Sequence, residues 1–110
     1  MNLNNKKFRT FENKEGLSSD ETVFHYSQKG NTITARYSGG KIQIGFIVGK
    51  QITDNEIELL YQCLTTEGNL LAGKSKGRVS INKNQKLEIH FDWKWLNGDQ
   101  SGGKSHYIEM

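Results

Sequence analysis

Apolar and polar residues alternate along most of this chain, most clearly between Leu87 and Trp95. Leu87, Ile89, Phe91, Trp93 and Trp95 fall on one face of an extended strand, and the polar residues between them fall on the other. Five large apolar side chains on one face predict burial. We therefore expect this strand to lie over a hydrophobic core.

Turn-forming residues separate eight such segments at short intervals. Clusters such as Lys29-Gly30-Asn31 and Asn97-Gly98-Asp99 are typical of hairpin turns. The connections are too short for crossover helices, and short connections make consecutive strands antiparallel. The pattern predicts an up-and-down meander with strands at 6–12, 21–28, 31–38, 41–51, 56–66, 69–81, 86–96 and 104–109.

Paired glycines favour strong curvature of this sheet. Gly45 and Gly49 lie four residues apart in one predicted strand, and Gly73 and Gly77 do so in another, so each pair shares a face. Strong coiling of about eight strands predicts closure into a small barrel, which leaves no sheet edge exposed. The expected fold class is therefore all-β, an antiparallel meander closed into a barrel.

One segment also fits a helix. Residues 53–56 match a capping box, and apolar residues follow them at helical spacing. The same stretch alternates as a strand from Ile57 to Cys63. We favour the strand because it keeps the meander intact, and a curved open sheet with one helix near 54–64 is the alternative fold.

Composition narrows the class of protein. A length of 110 residues predicts one domain over 1–110, with residues 1–20 partly flexible. Fifteen Lys and Arg against twelve Asp and Glu give a net charge of +3, with no basic tract that indicates nucleic acid. Cys63 is the only cysteine, so no internal disulfide forms, and we expect its side chain to be buried. Neither a signal peptide nor a membrane-spanning segment is expected, and a cytoplasmic location is predicted.

Two stretches match the phosphate-binding pattern G-x-x-x-x-G-K-[ST], at 68–75 and 98–105. Such a loop needs a helix N-terminus aimed at the phosphate. Strand-like residues follow the first match, and only five residues follow the second. Both matches therefore predict hairpin turns, and tight binding of ATP or GTP is not expected.

His90 and Asp92 project from one strand face at a spacing that can chelate a metal. A metal site needs at least three ligands with supporting partners. His25 and His106 would contribute only through a strand register that the sequence leaves open. We therefore expect a solvated polar face here, with no metal or other cofactor.

Aromatic residues form the strongest candidate for a binding surface. Seven of them between Phe24 and Trp95, Phe46 included, are expected to face the interior. An eight-stranded barrel is either filled by such side chains or holds one small ligand. Buried Tyr and Trp need hydrogen-bond partners, which polar residues near the barrel mouth or a ligand would supply. The candidate ligand-binding residues are Tyr26, Tyr37, Tyr61, Gln62, Trp93, Trp95, Ser101 and His106.

The favoured hypothesis for function is a small-molecule-binding barrel, with the glycine-rich loop after Trp95 as a lid. A small enzyme is one alternative, in which His90 or His106 with Asp92 performs acid–base chemistry in the same cavity. A protein-interaction module with a solid core is another, and it would pair as a homodimer through an outer face on which Leu60 and Leu64 are exposed. Neither nucleic acid nor a membrane is expected as a partner.

Four motifs carry a resemblance to a known family. Tyr37-Ser38-Gly39-Gly40, Tyr61-Gln62, Gly73-Lys74 and the segment 93–99 together resemble small bacterial single-domain proteins often named n-acetylglutamate synthase. Acetyltransferases of that activity bind the coenzyme pyrophosphate with a Q/R-x-x-G-x-G/A loop before a helix. The segment 36–41 ends in Lys with no helix predicted after it, so neither that activity nor acetyl-coenzyme A binding is expected. The predicted barrel also resembles the lipocalin and avidin (calycin-like) architectures at the level of fold.

Overall fold

A computed structural model describes residues 1–13 and 16–110, which form a closed antiparallel β-barrel. Each strand pairs with the next, and the last strand pairs with the first. No helix occurs among the described residues, and hence none that could span a membrane. The all-β meander is confirmed, with β1 at Lys6–Glu12, β2 at Val23–Lys29, β3 at Thr32–Gly39, β4 at Ile42–Gln51, β5 at Glu56–Thr65, β6 at Leu70–Ile81, β7 at Leu87–Trp95 and β8 at Gly102–Glu109.

The segment that also fitted a helix is strand β5. Ile57, Leu59 and Cys63 are buried at alternating positions, and β5 pairs with β4 on one side and β6 on the other. The Thr53 hydroxyl donates to the Glu56 carboxylate at 3.0 Å, so the capping-box residues stabilise the turn before β5. The open sheet with a helix near 54–64 is therefore wrong, because two flanking strands satisfy the backbone of this segment.

Inward-facing glycines leave room for aromatic rings from neighbouring strands. Gly45 lies opposite Tyr37, and Gly73 lies opposite Tyr61. A Cβ atom added at either glycine would collide with the ring of that tyrosine. The glycines therefore let the tyrosines lie flat across the adjacent strand, where the wall curves.

The side-chain phase of β4 differs from the prediction. The register of β4 against β5 shifts between Ile42 and Ile44, so Ile42 points inward while Ile44 and Phe46 point outward. Phe46 is 44% exposed, and the expectation that it faces the interior is wrong. A β-bulge inserts one residue and reverses the face of everything after it.

The interior has a packed end and an end that contains a cavity. One end is solidly packed by Leu3, Phe8, Ile33, Ile57 and Ile89, which have no exposed surface. Toward the other end, where β1–β2, β3–β4, β5–β6 and β7–β8 are joined, the packing opens into a cavity.

Candidate ligand-binding site

The cavity has a volume of about 60 Å³, and eight of its 17 lining residues are aromatic. Five of the predicted site residues meet there. Trp95 packs edge-on against both Tyr61 and Trp93, at centroid distances of 5.5 and 5.8 Å. The alternation of β2, β3, β5 and β7 explains this, because each strand turns its aromatic residues inward. The predicted residues that line the cavity are Tyr26, Tyr37, Tyr61, Trp93 and Trp95.

The tyrosines in the wall stay neutral. Burial raises the pKa of Tyr26, Tyr37 and Tyr61 far above the ordinary value. Neutral phenols act as hydrogen-bond donors and acceptors and bring no charge. The Tyr37 hydroxyl donates to the backbone oxygen of Gln62 at 3.1 Å. Tyr37 therefore has a structural partner and shapes the wall by its ring.

Three buried polar atoms, each on a residue that lines the cavity, have no hydrogen-bond partner among the described residues. They are the indole nitrogen Nε1 of Trp93, the hydroxyl of Ser105 and the side-chain oxygen of Asn13. Leaving a buried polar group unpaired costs about 1–3 kcal/mol, so native proteins usually satisfy such groups with water or ligand. Together they offer one donor, one acceptor and one hydroxyl that serves as either.

A hydrogen-bond network fixes the β1–β2 loop at the cavity. The Asn13 amide donates to the Ser18 hydroxyl at 2.7 Å, and that hydroxyl is hydrogen-bonded to the Tyr107 hydroxyl at 3.2 Å. Thr10 on β1 donates to the same Ser18 oxygen at 3.2 Å. Leu17, from the same loop, also lines the cavity. The loop thus brings both polar and apolar groups to the site.

The other three predicted site residues lie outside the cavity. Gln62 and Ser101 are exposed, and His106 lies on the outer face of β8 against Glu88. Gln62 follows Tyr61 by one position, so it points to the opposite face of β5. His106 likewise lies one position before the inward-facing Tyr107. Gln62 and His106 therefore point away from the cavity, and Ser101 lies in the exposed loop between β7 and β8. The role of these three residues in ligand binding stays a prediction.

The glycine-rich loop after Trp95 does not cover the cavity. The Asn97 side chain accepts from the Ala72 backbone at 2.9 Å and donates to the Leu70 backbone at 3.0 Å. These bonds tie the loop to β6. Among the described residues, the loop that lines the cavity is the one between β1 and β2. The prediction that the glycine-rich loop after Trp95 forms a lid is therefore wrong.

Several cavity residues were missed in the sequence. Ser75 and Ser105 are the last residues of the two phosphate-loop matches, and each faces the cavity from a strand while the preceding lysine points outward. Ser75 lies two residues after Gly73, and Ser105 lies two residues before Tyr107. Strand alternation therefore places both serines on the inward face, and this pattern was readable in the sequence. Asn13, Leu17 and Ser18 lie on a loop without periodicity, and no sequence signal identifies them.

The histidine and aspartate of the enzyme hypothesis are on the outer surface. His90 and Asp92 point away from the interior on β7, and His106 points outward on β8. No Asp, Glu, His, Lys or Arg among the described residues lines the cavity. The alternative of acid–base chemistry by these residues inside the barrel is therefore not supported by their positions.

A scan against protein-family models matches the family described as avidin-like protein over residues 1–110. Searches of the curated proteins and of the solved structures gave no significant match. The match agrees with the avidin resemblance of the barrel and gives no support to the name n-acetylglutamate synthase. With an eight-stranded meander barrel and a family match over its whole length, the chain belongs to the avidin-like family.

Proposed function

We propose that the barrel binds a small neutral molecule that carries a hydrogen-bonding group. The three unpartnered polar atoms at the cavity carry this proposal. Trp93 supplies an N–H donor, Asn13 supplies an acceptor and Ser105 supplies a hydroxyl, a set that complements an amide or a urea. A charged group is disfavoured, because the described residues that line the cavity offer no counter-charge and desolvating a charge is costly.

The size of the cavity limits what enters without rearrangement. A volume of about 60 Å³ suits about two water molecules, whereas ligand pockets usually exceed about 300 Å³. A ligand with more than a few atoms must therefore displace a side chain at the mouth. Leu17 is the best candidate, because it is only partly buried and comes from a loop.

Titration with neutral cyclic ureas tests the proposal. Avidin-like proteins bind biotin, so the neutral methyl ester of biotin is the first probe, and 2-imidazolidinone presents the cyclic urea alone. We expect saturable binding heat and a shift in tryptophan emission, because Trp93 and Trp95 form part of the wall. Valerate, a charged acid without a urea, is the matched negative ligand.

Two variants locate the binding. Trp93→Phe removes the indole N–H while keeping a ring, and Ser105→Ala removes the hydroxyl. Each is expected to weaken binding by about tenfold, the value of one hydrogen bond. Ser80→Ala, an exposed serine on β6, is the control and should bind as the parent does. Absence of binding by every urea probe, or equal affinity in Ser105→Ala and the control, would contradict the proposal.

We also propose that the chain forms a homodimer through the outer face of β4 and β5. Ile44, Phe46 and Val48 on β4 and Leu60 on β5 are large, apolar and exposed. Val48 lies directly opposite Leu60, so the residues form a continuous patch. An uncharged apolar stripe along paired strands is suited to contact with its own copy about a two-fold axis.

Sedimentation equilibrium tests the dimer. Val48→Lys places a charge in the centre of the patch and is expected to give a monomer. Ile81→Lys changes an apolar residue at the end of β6 that is even more exposed than Val48, and it should leave the mass unchanged. A monomeric parent protein at high concentration, or a dimer that survives Val48→Lys, argues against this interface.

A further inference from the structure

Two histidines and a glutamate meet on the outer face of β7 and β8. His90 and His106 are direct cross-strand partners, and their rings stack with centroids 4.0 Å apart and planes 20° apart. Glu88 precedes His90 by two residues and therefore shares its face. The His106 Nε2 atom lies 2.6 Å from the Glu88 carboxylate.

Each of these residues offers one donor atom, and the three donor atoms lie within 4.8 Å of one another. Around a tetrahedral zinc ion, with bonds of about 2.0 Å, donor atoms are about 3.3 Å apart. The donor atoms are thus somewhat farther apart than in a zinc site, by a distance that rotation of surface side chains can close. His90 is exposed, so its ring is free to rotate out of the stack until its nitrogen points at a common centre.

Neighbouring residues support the carboxylate and one imidazole. The side chains of His106 and Glu88 are only 21% and 20% exposed, so both are held against the sheet. Phe11 packs edge-on against the His106 ring at 5.0 Å, which restricts the orientation of that ring.

Charged residues around the three donors nearly balance. Glu12 on β1 lies opposite His106, and Asp92 is the next outward residue after His90. Arg78 on β6 lies opposite His90, and Lys104 forms an ion pair with Asp92 at 3.4 Å. A divalent cation here meets two nearby carboxylates besides Glu88, which offset the two basic groups.

We propose that Glu88, His90 and His106 form a binding site for a divalent transition-metal ion on the outside of the barrel. Two imidazoles and one carboxylate suit zinc and its neighbours, whereas calcium and magnesium prefer sites made of oxygen alone. Three protein ligands leave a coordination position for water. The site lies on the opposite face of the barrel wall from the cavity and does not depend on the interior ligand.

Zinc titration followed by proton NMR of the histidine rings tests this site. The chain has three histidines, and the third, His25, is exposed on β2 next to Asn5. Zinc is expected to shift the ring signals of His90 and His106 at one equivalent and to leave those of His25 in place. Calorimetry on the same samples gives the stoichiometry and the affinity.

Variants assign the ligands. His90→Asn and His106→Asn should each weaken zinc binding by more than about tenfold, and Glu88→Gln should weaken it as well. His25→Asn is the matched control and should bind as the parent does. Circular dichroism and the thermal midpoint without zinc establish that each variant is folded. Cobalt in place of zinc should give the intense visible absorption of a low-symmetry site in the parent and not in His106→Asn.

Three results would overturn the proposal. One is no saturable zinc binding by the folded parent protein. Another is binding that shifts all three histidines equally, as weak surface association does. The last is unchanged affinity in both His90→Asn and His106→Asn.

Discussion

At the scale of single residues, Gly45 shapes the cavity wall because it has no side chain and leaves space for the Tyr37 ring. The Tyr37 ring lies over Gly45, stacks on Phe24 at 4.8 Å and is held by its hydroxyl on the Gln62 backbone. Three contacts on different strands fix this ring. The cavity wall therefore depends on a position that has no side chain of its own.

Gly45→Ala should destabilise the barrel. The added methyl group would collide with Tyr37, and overpacking of this kind costs about 1–3 kcal/mol. Urea unfolding monitored by circular dichroism measures the loss. Gln43→Ala, at an exposed position of the same strand, should change the free energy of unfolding by less than about 0.5 kcal/mol. If Gly45→Ala were as stable as this control, Tyr37 would not be fixed as described.

At the scale of elements, two turns each need one residue in the left-handed backbone conformation, and they place different residue types there. The β2–β3 turn places Gly30 at a φ of 60°, and the β6–β7 turn places Gln85 at a φ of 64°. The left-handed conformation costs a residue with a Cβ about 1–2 kcal/mol, whereas glycine adopts it freely. The Gln85 backbone N–H donates to the Asn82 backbone oxygen at 3.0 Å, and this hydrogen bond within the turn holds Gln85 in the left-handed conformation.

Gln85→Gly should therefore stabilise the protein by about 0.5–1 kcal/mol, since relief of strain exceeds the added freedom of the unfolded chain. Gly30→Ala is the reverse experiment. Its Cβ would meet open space, so a loss of about 1 kcal/mol would come from the backbone alone. Thermal and urea unfolding measure both changes. Effects of the same sign in the two variants would contradict this account of the turns.

At the scale of the whole molecule, one carboxylate links three strands where the barrel closes. Glu109 on β8 accepts from the Leu87 backbone at 2.8 Å and pairs with Lys6 on β1 at 3.2 Å. Burial raises the pKa of Glu109, but the hydrogen bonds from Leu87 and Lys6 and the charges of Lys6 and Lys86 outweigh it and lower the pKa overall. The folded protein therefore binds a proton at Glu109 less readily than the unfolded chain does.

Glu109→Gln should lower the free energy of unfolding at pH 7 by about 1–2 kcal/mol, a value reduced because Lys6 is partly exposed. The stabilisation by Glu109 is complete above the unfolded pKa of about 4.3 and is lost as pH falls through the lower folded pKa. The difference between parent and variant should thus shrink on acidification. Urea unfolding from pH 7 to pH 3 measures it, with Glu58→Gln, in a looser pair 3.7 Å from Lys50, as the control. A constant difference across that range would contradict the role given to Glu109.

The fold was predictable because its determinants are local. Alternating apolar residues define the strands, and turn residues between them fix antiparallel order. The meander also predicts a strand for the ambiguous stretch at β5, and this prediction is confirmed, because β5 pairs with both β4 and β6. The single domain over 1–110, partial flexibility of residues 1–20 and a cytoplasmic location stay predictions.

The sequence by itself determined the eight strands, their order and five aromatic residues of the cavity wall, because side-chain period and turn chemistry act over a few residues. Only the tertiary structure decided which side of β4 Phe46 occupies, since a bulge depends on pairing with β5. It also decided that His90 meets His106, and that the loop carrying Asn13 reaches the cavity. Strand register and loop path are set by contacts between distant parts of the chain, and no local pattern encodes them.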